Sequence, residues 1–168
     1  MGLEDYKKKR DFNNTPEPGA DFSTENRGRF VIQRHEATRL HYDLRLEMEG
    51  VLKSWAVPKG PSMNPKDKRL AIETEDHPVN YLHFEGTIPK GNYGAGEMQI
   101  WDKGTFKAAA KTNDNLEEQW EDGNLKMVFS GSKIKGEFAL VKTKRGDKKN
   151  QWLLIKKKDD FSTDLDYD

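Results

Sequence analysis

The stretch HEATRLHYDLRLEM, residues 35–48, concentrates side chains that can bind a metal ion. Its alternation of polar and apolar residues predicts a β-strand in which His41, Asp43 and Arg45 project from one face. His35 lies six residues before His41, on a neighbouring turn or strand. Two imidazoles and one carboxylate suit manganese, iron, cobalt or zinc. A half-exposed strand that carries polar residues outward for no chemical reason explains the same spacing equally well.

Four side chains further along the chain are suited to binding phosphate: Lys59, Arg69, His77 and Tyr81. Arginine offers a forked pair of donors to phosphate oxygens, lysine a point charge, and histidine a donor to a leaving or non-bridging oxygen. A metal ion combined with such donors is typical of phosphoryl transfer. Taken singly, Lys59 and Arg69 are equally typical of a solvated surface, and Tyr81 of a hydrophobic core.

The elements that must position these side chains are mostly β-strands. Nine short segments show period-2 alternation: RFVIQRH, LHYDLRLEM, GVLKSWAV, RLAIET, EMQIWD, GTFKA, LKMVFSG, GEFALVKTK and QWLLIKK. Closing such a sheet into a barrel removes its exposed edges. Hairpin turns are predicted at Gly50, Gly104, Gly136 and Arg145-Gly146. The glycine-rich IPKGNYGAGEM lacks the Walker spacing and is predicted to be a loop that connects strands.

Two short helices complete the predicted elements. Residues 3–11 favour a polar helix, and DNLEEQWEDGN favours a second, with Asp114 or Asn115 at its start and Gly123-Asn124 at its end. Between the first helix and Arg29 the chain has the composition of an irregular arm. We expect an N-terminal helix and arm over 1–28, one β domain over 29–158, and a disordered acidic tail over 159–168.

Composition limits the class of protein. The 168 residues include 29 Lys and Arg, 29 Asp and Glu, and no cysteine. The absence of cysteine excludes disulfides and thiolate zinc sites, so any metal must be held by His, Asp, Glu or backbone oxygen. No apolar run approaches the roughly 20 residues that cross a bilayer, and the N-terminus lacks a signal peptide's apolar region. We therefore expect a cytoplasmic protein that does not contact a membrane.

The zero net charge hides an uneven distribution. Residues 133–158 carry ten basic and two acidic residues, whereas residues 70–132 carry five basic and eleven acidic ones. A ligand responds to the local field, so a polyanionic partner remains compatible with the neutral total. The candidate nucleic-acid surface comprises Lys142, Lys144, Arg145, Lys148 and Lys149. A solvated hairpin explains this segment nearly as well.

At the level of extended motifs the sequence resembles a known family. The region from Arg29 to Phe106 contains RHEATRLHYDLRLEM, SWAVPKGPSMNP and LHFEGTIPKGNYGAGEM, with KKRDFNNTPEP before it and WLLIKKKD after it. Together these motifs closely resemble the 3'-phosphoesterase module of bacterial DNA ligase D and its stand-alone archaeal relatives. The resemblance covers nearly the whole chain.

The resemblance implies a compact, closed β-barrel of about eight short strands with a few short flanking helices. It also implies a manganese-dependent enzyme of non-homologous end joining, with cobalt or zinc as other possible ions. Such an enzyme removes a 3'-ribonucleoside and then hydrolyses the 3'-phosphate, which leaves a 3'-hydroxyl. The implied partners are a primer-template with a 3'-phosphate or 3'-ribonucleotide end, and the ligase and polymerase of the same pathway.

Residue roles follow from the matching positions. The implied metal ligands are His35, His41 and Asp43. The implied phosphate-contacting and catalytic residues are Arg45, Lys59, Arg69, His77 and Tyr81. A segment that the family folds over the active site is matched by Arg10, Asp11 and Glu17.

Two other classes remain open on the residues alone. His41 and Asp43 also fit half of a two-histidine, one-carboxylate iron oxygenase site, with His77 or His83 as the third ligand. Against this, no arginine follows His83 before Arg145 to hold an oxoacid co-substrate. A non-catalytic nucleic-acid-binding module would need the basic segment but not the metal-ligand group.

Overall fold

A computed structural model describes residues 3–19, 28–110, 112, 114–143 and 150–164 of the chain. Within them the strands are β1 (Arg29–Glu36), β2 (Leu40–Met48), β3 (Val51–Val57), β4 (Lys68–Pro78), β5 (Gly86–Ile88), β6 (Gly96–Ala108), β7 (Asn124–Ser130), β8 (Lys135–Lys142) and β9 (Gln151–Lys156). The helices are α1 (Glu4–Lys8), α2 (Leu116–Asp122) and a short 3-10 helix, Val79–His83.

Eight of the strands close into an antiparallel barrel. Their order is β1-β2-β3-β4-β9-β8-β7-β6, and β6 pairs back with β1. β5 lies outside the barrel, and among the described strands it pairs only with the start of β6. The predicted closed β-barrel of about eight strands with short flanking helices is therefore confirmed.

One predicted turn is wrong. The segments EMQIWD and GTFKA form the single strand β6, and Gly104 lies within it. A Cβ at Gly104 would overlap the carbonyl oxygen of Ser130 on the neighbouring chain segment. The glycine is therefore explained by the close approach of two backbones, which sequence patterns do not distinguish from a turn.

The barrel interior is filled by alternate side chains of all eight strands. Leu44 and Leu46 of β2 point inward, as predicted, and Tyr42 packs against the same cluster. The Trp55 and Trp152 rings meet at a centroid distance of 5.4 Å with their planes nearly perpendicular, a favourable aromatic geometry. Because alternate residues of a strand face opposite sides, the polar residues of β2 must lie on the outer wall.

A second apolar cluster covers part of that outer wall. It joins Tyr6 of α1 to Val31 and Leu52 of the strands and to Tyr81 of the 3-10 helix. Burial of these side chains fastens the N-terminal helix and the 3-10 helix onto β1 and β3. This apolar cluster on β1 and β3 therefore borders the polar residues of the outer wall.

The second predicted helix is confirmed with both of its caps. The Asn115 side chain accepts a hydrogen bond from the Glu118 backbone N–H at 3.2 Å, and Gly123 ends the helix in the left-handed conformation with φ 72°. Within the described residues, no helix has the length and apolarity needed to cross a membrane.

The described part of the predicted acidic tail, 159–164, is bound to the barrel. The Asp159 carboxylate accepts the Glu137 backbone N–H at 2.9 Å and pairs with the buried ammonium of Lys156 at 2.6 Å. Farther along, the Thr163 N–H donates to the carbonyl of Met63 at 3.0 Å. The expectation of disorder from Asp159 onward thus fails for these residues, because a buried lysine requires a carboxylate partner.

Candidate active site

The three predicted metal ligands meet on the outer wall of the barrel. Strand pairing places His35 of β1 directly opposite His41 of β2, and Asp43 follows two residues later on the same face. His41 Nε2 lies 3.0 Å from Asp43 Oδ1 and 3.2 Å from His35 Nδ1. One ligand atom from each residue falls within 4.8 Å of the other two. The structure therefore forms a two-imidazole, one-carboxylate group.

The outer nitrogen of each imidazole faces a carbonyl oxygen. His35 Nε2 lies 2.8 Å from the carbonyl oxygen of Gly94, and His41 Nδ1 lies 3.3 Å from that of Arg39. A carbonyl only accepts hydrogen bonds, so these ring nitrogens carry the protons. A metal ion bound between the rings would meet the lone pairs of His35 Nδ1 and His41 Nε2, the two nitrogens that otherwise lie within hydrogen-bonding distance of Asp43. This arrangement fits a divalent metal, because metal-bound histidines commonly donate their second N–H to a carbonyl.

Asp43 carries a negative charge in this setting. Burial alone would raise the pKa of its carboxyl, but hydrogen bonds from His35 and His41, and the charge of Arg45, lower it well below the usual range. Burial alone would lower the pKa of His41, but the hydrogen bond and the charge of Asp43 outweigh that effect and raise the pKa. An ionised carboxylate beside two histidines is suited to a cation.

Arg45 extends the polar surface away from the metal-ligand group. It is 3% exposed, and its Nε donates to Gln33 Oε1 at 2.6 Å. The amide nitrogen of Gln33 donates in turn to the backbone carbonyls of Tyr81 and Phe84 at 2.9 and 3.0 Å. The guanidinium is therefore held at a fixed angle, with one terminal nitrogen 3.4 Å from Asp43 Oδ2.

His77 lies between two guanidinium groups. Its Nδ1 is 3.1 Å from Arg45 Nη1, and its Nε2 is 3.5 Å from Arg10 Nη2. Burial, together with the charges of Arg45 and Arg10, holds the pKa of His77 well below its ordinary value. His77 is therefore a neutral imidazole at pH 7, in a site whose positive charge comes from the two arginines.

The N-terminal segment supplies one of those arginines and the buried acids that hold it. Arg10 pairs with Glu17 at 2.9 Å and with Glu75 of β4 at 2.6 Å. The Tyr81 hydroxyl donates to Glu17 at 2.6 Å. Segment and barrel are thus joined through buried charge-assisted hydrogen bonds. Asp11 is placed differently: it is exposed, and its carboxylate accepts from the backbone N–H of Asn13 and the side-chain amide of Asn14, its near neighbours in sequence.

These groups line one cavity of about 290 Å³. Among the residues on its wall are His35, His41, Asp43, Arg45, His77 and Tyr81, with Arg10 and Glu17 from the N-terminal segment. The wall residues that the sequence analysis had not singled out include Glu75 and Tyr93. Glu75 lies two residues before His77 on one strand face, a spacing that period-2 alternation could have identified.

Lys59 and Arg69 line a separate cleft, beyond the end of β3 and at the start of β4. Lys59 is exposed, and Arg69 pairs with Asp67 at 3.5 Å. The structure therefore does not bring these two residues to the wall of the metal-ligand cavity. His83 is exposed on the 3-10 helix, and His77 faces arginines, so neither joins His41 and Asp43 as a ligand.

The predicted basic surface is described only at its edge. Lys142 is exposed at the end of β8. The other members, Lys144, Arg145, Lys148 and Lys149, lie outside the described residues.

A candidate metal-ligand group that shares a cavity with two arginines and a histidine is typical of one class of protein, the metal-dependent enzymes that act on phosphate esters. The family model of the DNA ligase D 3'-phosphoesterase domain matches residues 33–142. The chain belongs to this family.

Curated relatives agree with this assignment. The chain is 46% identical over 167 residues to the multifunctional non-homologous end joining protein LigD of Pseudomonas aeruginosa, an alignment that covers 98% of this chain and 19% of that protein. The LigD protein of Mycolicibacterium smegmatis is 45% identical over 163 residues, covering 94% of this chain and 21% of that protein. The LigD protein of Mycobacterium tuberculosis is 44% identical over 153 residues, with 90% and 19% covered. The chain spans about a fifth of the length of these relatives.

Proposed function

We propose that this chain is a manganese-dependent phosphoesterase that heals 3' ends of nucleic acids. It would remove a 3'-terminal ribonucleoside and then hydrolyse the remaining 3'-phosphate to a 3'-hydroxyl. The observation that carries the proposal is one cavity whose wall holds both the His35, His41 and Asp43 group and the guanidinium groups of Arg45 and Arg10.

The metal is assigned to His35 Nδ1, His41 Nε2 and an oxygen of Asp43. Bound there, a divalent ion would polarise a phosphate oxygen and lower the pKa of a bound water. Cobalt and zinc accept the same ligand set, and manganese is proposed because the resemblance to the DNA ligase D 3'-phosphoesterase module implies it.

The chain's own side chains would bind and orient the phosphate. Arg45 offers its terminal N–H groups to the phosphate oxygens, and Gln33 keeps the guanidinium plane from turning. His77, a neutral imidazole, would stabilise the charge that develops on the phosphate or on the leaving 3'-oxygen through its one N–H. The Tyr81 ring lies 4.7 Å from the Arg45 guanidinium carbon. Tyr81 therefore acts through Arg45, as a positioning residue.

The biological setting follows from the family. The relatives are named as non-homologous end joining proteins. We propose that this chain acts in the same process in a prokaryotic cytoplasm, on a primer-template with a 3'-phosphate or 3'-ribonucleotide end. Its partners would be the ligase and polymerase that use the healed end. Lys59, Arg69 and the basic segment would contact nucleic-acid phosphates outside the cavity.

The direct test uses a primer-template that ends in a 3'-phosphate or a 3'-ribonucleotide, incubated with and without manganese. The wild type should convert both, and His41→Ala should abolish both conversions. His83→Ala is the matched control, because His83 is exposed and lies outside the cavity. Full manganese-dependent activity in His41→Ala would overturn the ligand assignment.

Inactivity of the wild type with every divalent metal would overturn the proposed function itself. Retained nucleic-acid binding in that case would favour the non-catalytic module. Ferrous-iron-dependent consumption of oxygen would instead favour the oxygenase.

A further inference from the structure

Tyr93 is an exposed aromatic residue at the mouth of the cavity. It lies in the loop between β5 and β6, lines the same cavity as the metal-ligand group, and is 46% exposed. The proposed phosphate chemistry does not use it. Its position beside the site therefore calls for a separate explanation.

The loop fixes Tyr93 relative to the metal-ligand group. Gly94, the next residue, accepts the Nε2 proton of His35 at 2.8 Å. The neighbouring Asn92 and Ala95 N–H groups donate to loop carbonyls at 3.2 and 3.1 Å. The phenol ring and the carbonyl that orients a metal ligand thus belong to consecutive residues. These hydrogen bonds hold the loop backbone on both sides of Tyr93.

Two cations of the N-terminal segment stand beside the ring. Lys9 Nζ lies 4.6 Å and the Arg10 guanidinium carbon 5.2 Å from the ring centroid. Both distances are within the range of a cation–π contact. Lys9 and Arg10 are also paired with carboxylates. An exposed aromatic ring beside cations is nevertheless typical of nucleic-acid binding sites, because bases stack on aromatic rings while cations attract the backbone.

We propose that Tyr93 covers the open face of the 3'-terminal base of the substrate. This inference rests on the proposed function. In a nucleotide only the sugar separates the base from the 3'-phosphate, so a phosphate held by Arg45 leaves the base at the cavity mouth. At a duplex end that base is stacked on one side only. The Tyr93 ring stacks on the other side of that base. The site therefore recognises the terminal base as well as the phosphate.

The test compares two primer-templates that end in a 3'-phosphate: one carries a terminal base and the other a terminal tetrahydrofuran, which lacks the base. Tyr93→Ala should lower kcat/KM for the base-bearing end about 10-fold, within a range of roughly 5- to 150-fold for one stacked base. The loss should lie mainly in KM. Activity on the abasic end should change less than about 2-fold, and Tyr93→Trp should retain wild-type preference.

The matched control is Phe161→Ala, an aromatic that is 51% exposed and does not line the cavity. It should leave both activities unchanged. Comparison of two substrates on one variant separates stacking from folding, and Tyr93→Leu repeats the comparison if the alanine variant fails to fold.

Each contrary outcome has a distinct meaning. Equal losses of activity on both ends would mean that Tyr93 only positions Lys9 and Arg10. An unchanged rate on both ends would mean that the ring does not contact the substrate. Either result would overturn the inference. A wild type that is inactive on both ends would refute the proposed function, and the inference with it.

Discussion

Glu17 is a buried charged side chain that joins the N-terminal segment to the barrel. It is fully buried, and it accepts hydrogen bonds from Arg10 Nε at 2.9 Å, the Tyr81 hydroxyl at 2.6 Å and the Thr15 hydroxyl at 3.0 Å. In Glu17→Gln the new amide can still serve all three partners, because the rotatable Thr15 hydroxyl can accept instead of donating. The substitution therefore removes the charge and little else.

The cost can be worked from these contacts. Hydrogen bonds to a charged group contribute about 1.5–3 kcal/mol each, roughly twice the neutral value. Losing the charge from the two bonds to Arg10 and Tyr81 should therefore cost about 2 kcal/mol. Glu17→Ala should cost more, about 3–5 kcal/mol, because it also removes a partner of the buried guanidinium of Arg10.

Urea unfolding followed by circular dichroism measures this cost. With a slope of about 2 kcal/mol per molar, Glu17→Gln should lower the midpoint by about 1 M. Amide hydrogen exchange of α1 should also accelerate if the segment detaches before the barrel unfolds. Glu121→Gln, an exposed substitution on α2, should stay within about 0.5 kcal/mol of the wild type. If Glu17→Gln matched this control in both measurements, the charge of Glu17 would contribute nothing to holding the segment on the barrel.

Three further predictions concern other parts of the molecule. The lowered pKa of Asp43 stabilises the fold above the ordinary carboxyl pKa of about 3.9, and this contribution is lost as the pH falls towards the lowered value. With a metal chelator present, the difference in free energy of unfolding between wild type and Asp43→Asn should therefore shrink from pH 5 to pH 2.5. A constant difference in urea titrations would contradict this. Gly104→Ala should cost about 1–3 kcal/mol, or roughly 2–12 °C in Tm, because its Cβ meets a neighbouring carbonyl. Gly19→Ala, with open space at its Cβ, should not change Tm, and equal melting of the two variants would count against the clash. Lys59→Ala should weaken primer-template binding and reduce its salt slope by about 1; an effect no larger than that of exposed Lys103→Ala would remove Lys59 from the nucleic-acid surface.

Alternation along β2 was sufficient to predict which residues face the core and which face the site. Leu44 and Leu46 are in the barrel, and Asp43 is on the outer wall beside His35 and His41. The prediction succeeded because a strand that covers a core has only two faces, and one of them must be apolar.

Other parts of the site have no such periodic signal. Arg10 and Glu17 lie in an irregular segment, so only the family resemblance pointed to them. Gln33 lies two residues before His35 on β1, yet a neutral amide gives no sign of function until its carbonyl is seen to hold Arg45. Sequence spacing also gave no hint that Lys59 and Arg69 would line a cleft apart from the metal-ligand group.

Because the site lies on the outer wall, the same four strands use different residues for packing the core and for forming the site. Inward residues of β1 to β4 hold the barrel together, while their outward neighbours line the candidate active-site cavity. A substitution on one face therefore leaves the packing of the other largely untouched. A scaffold of this kind is open to redesign: new ligand sets and new specificities can be installed on the wall while the interior keeps the protein folded.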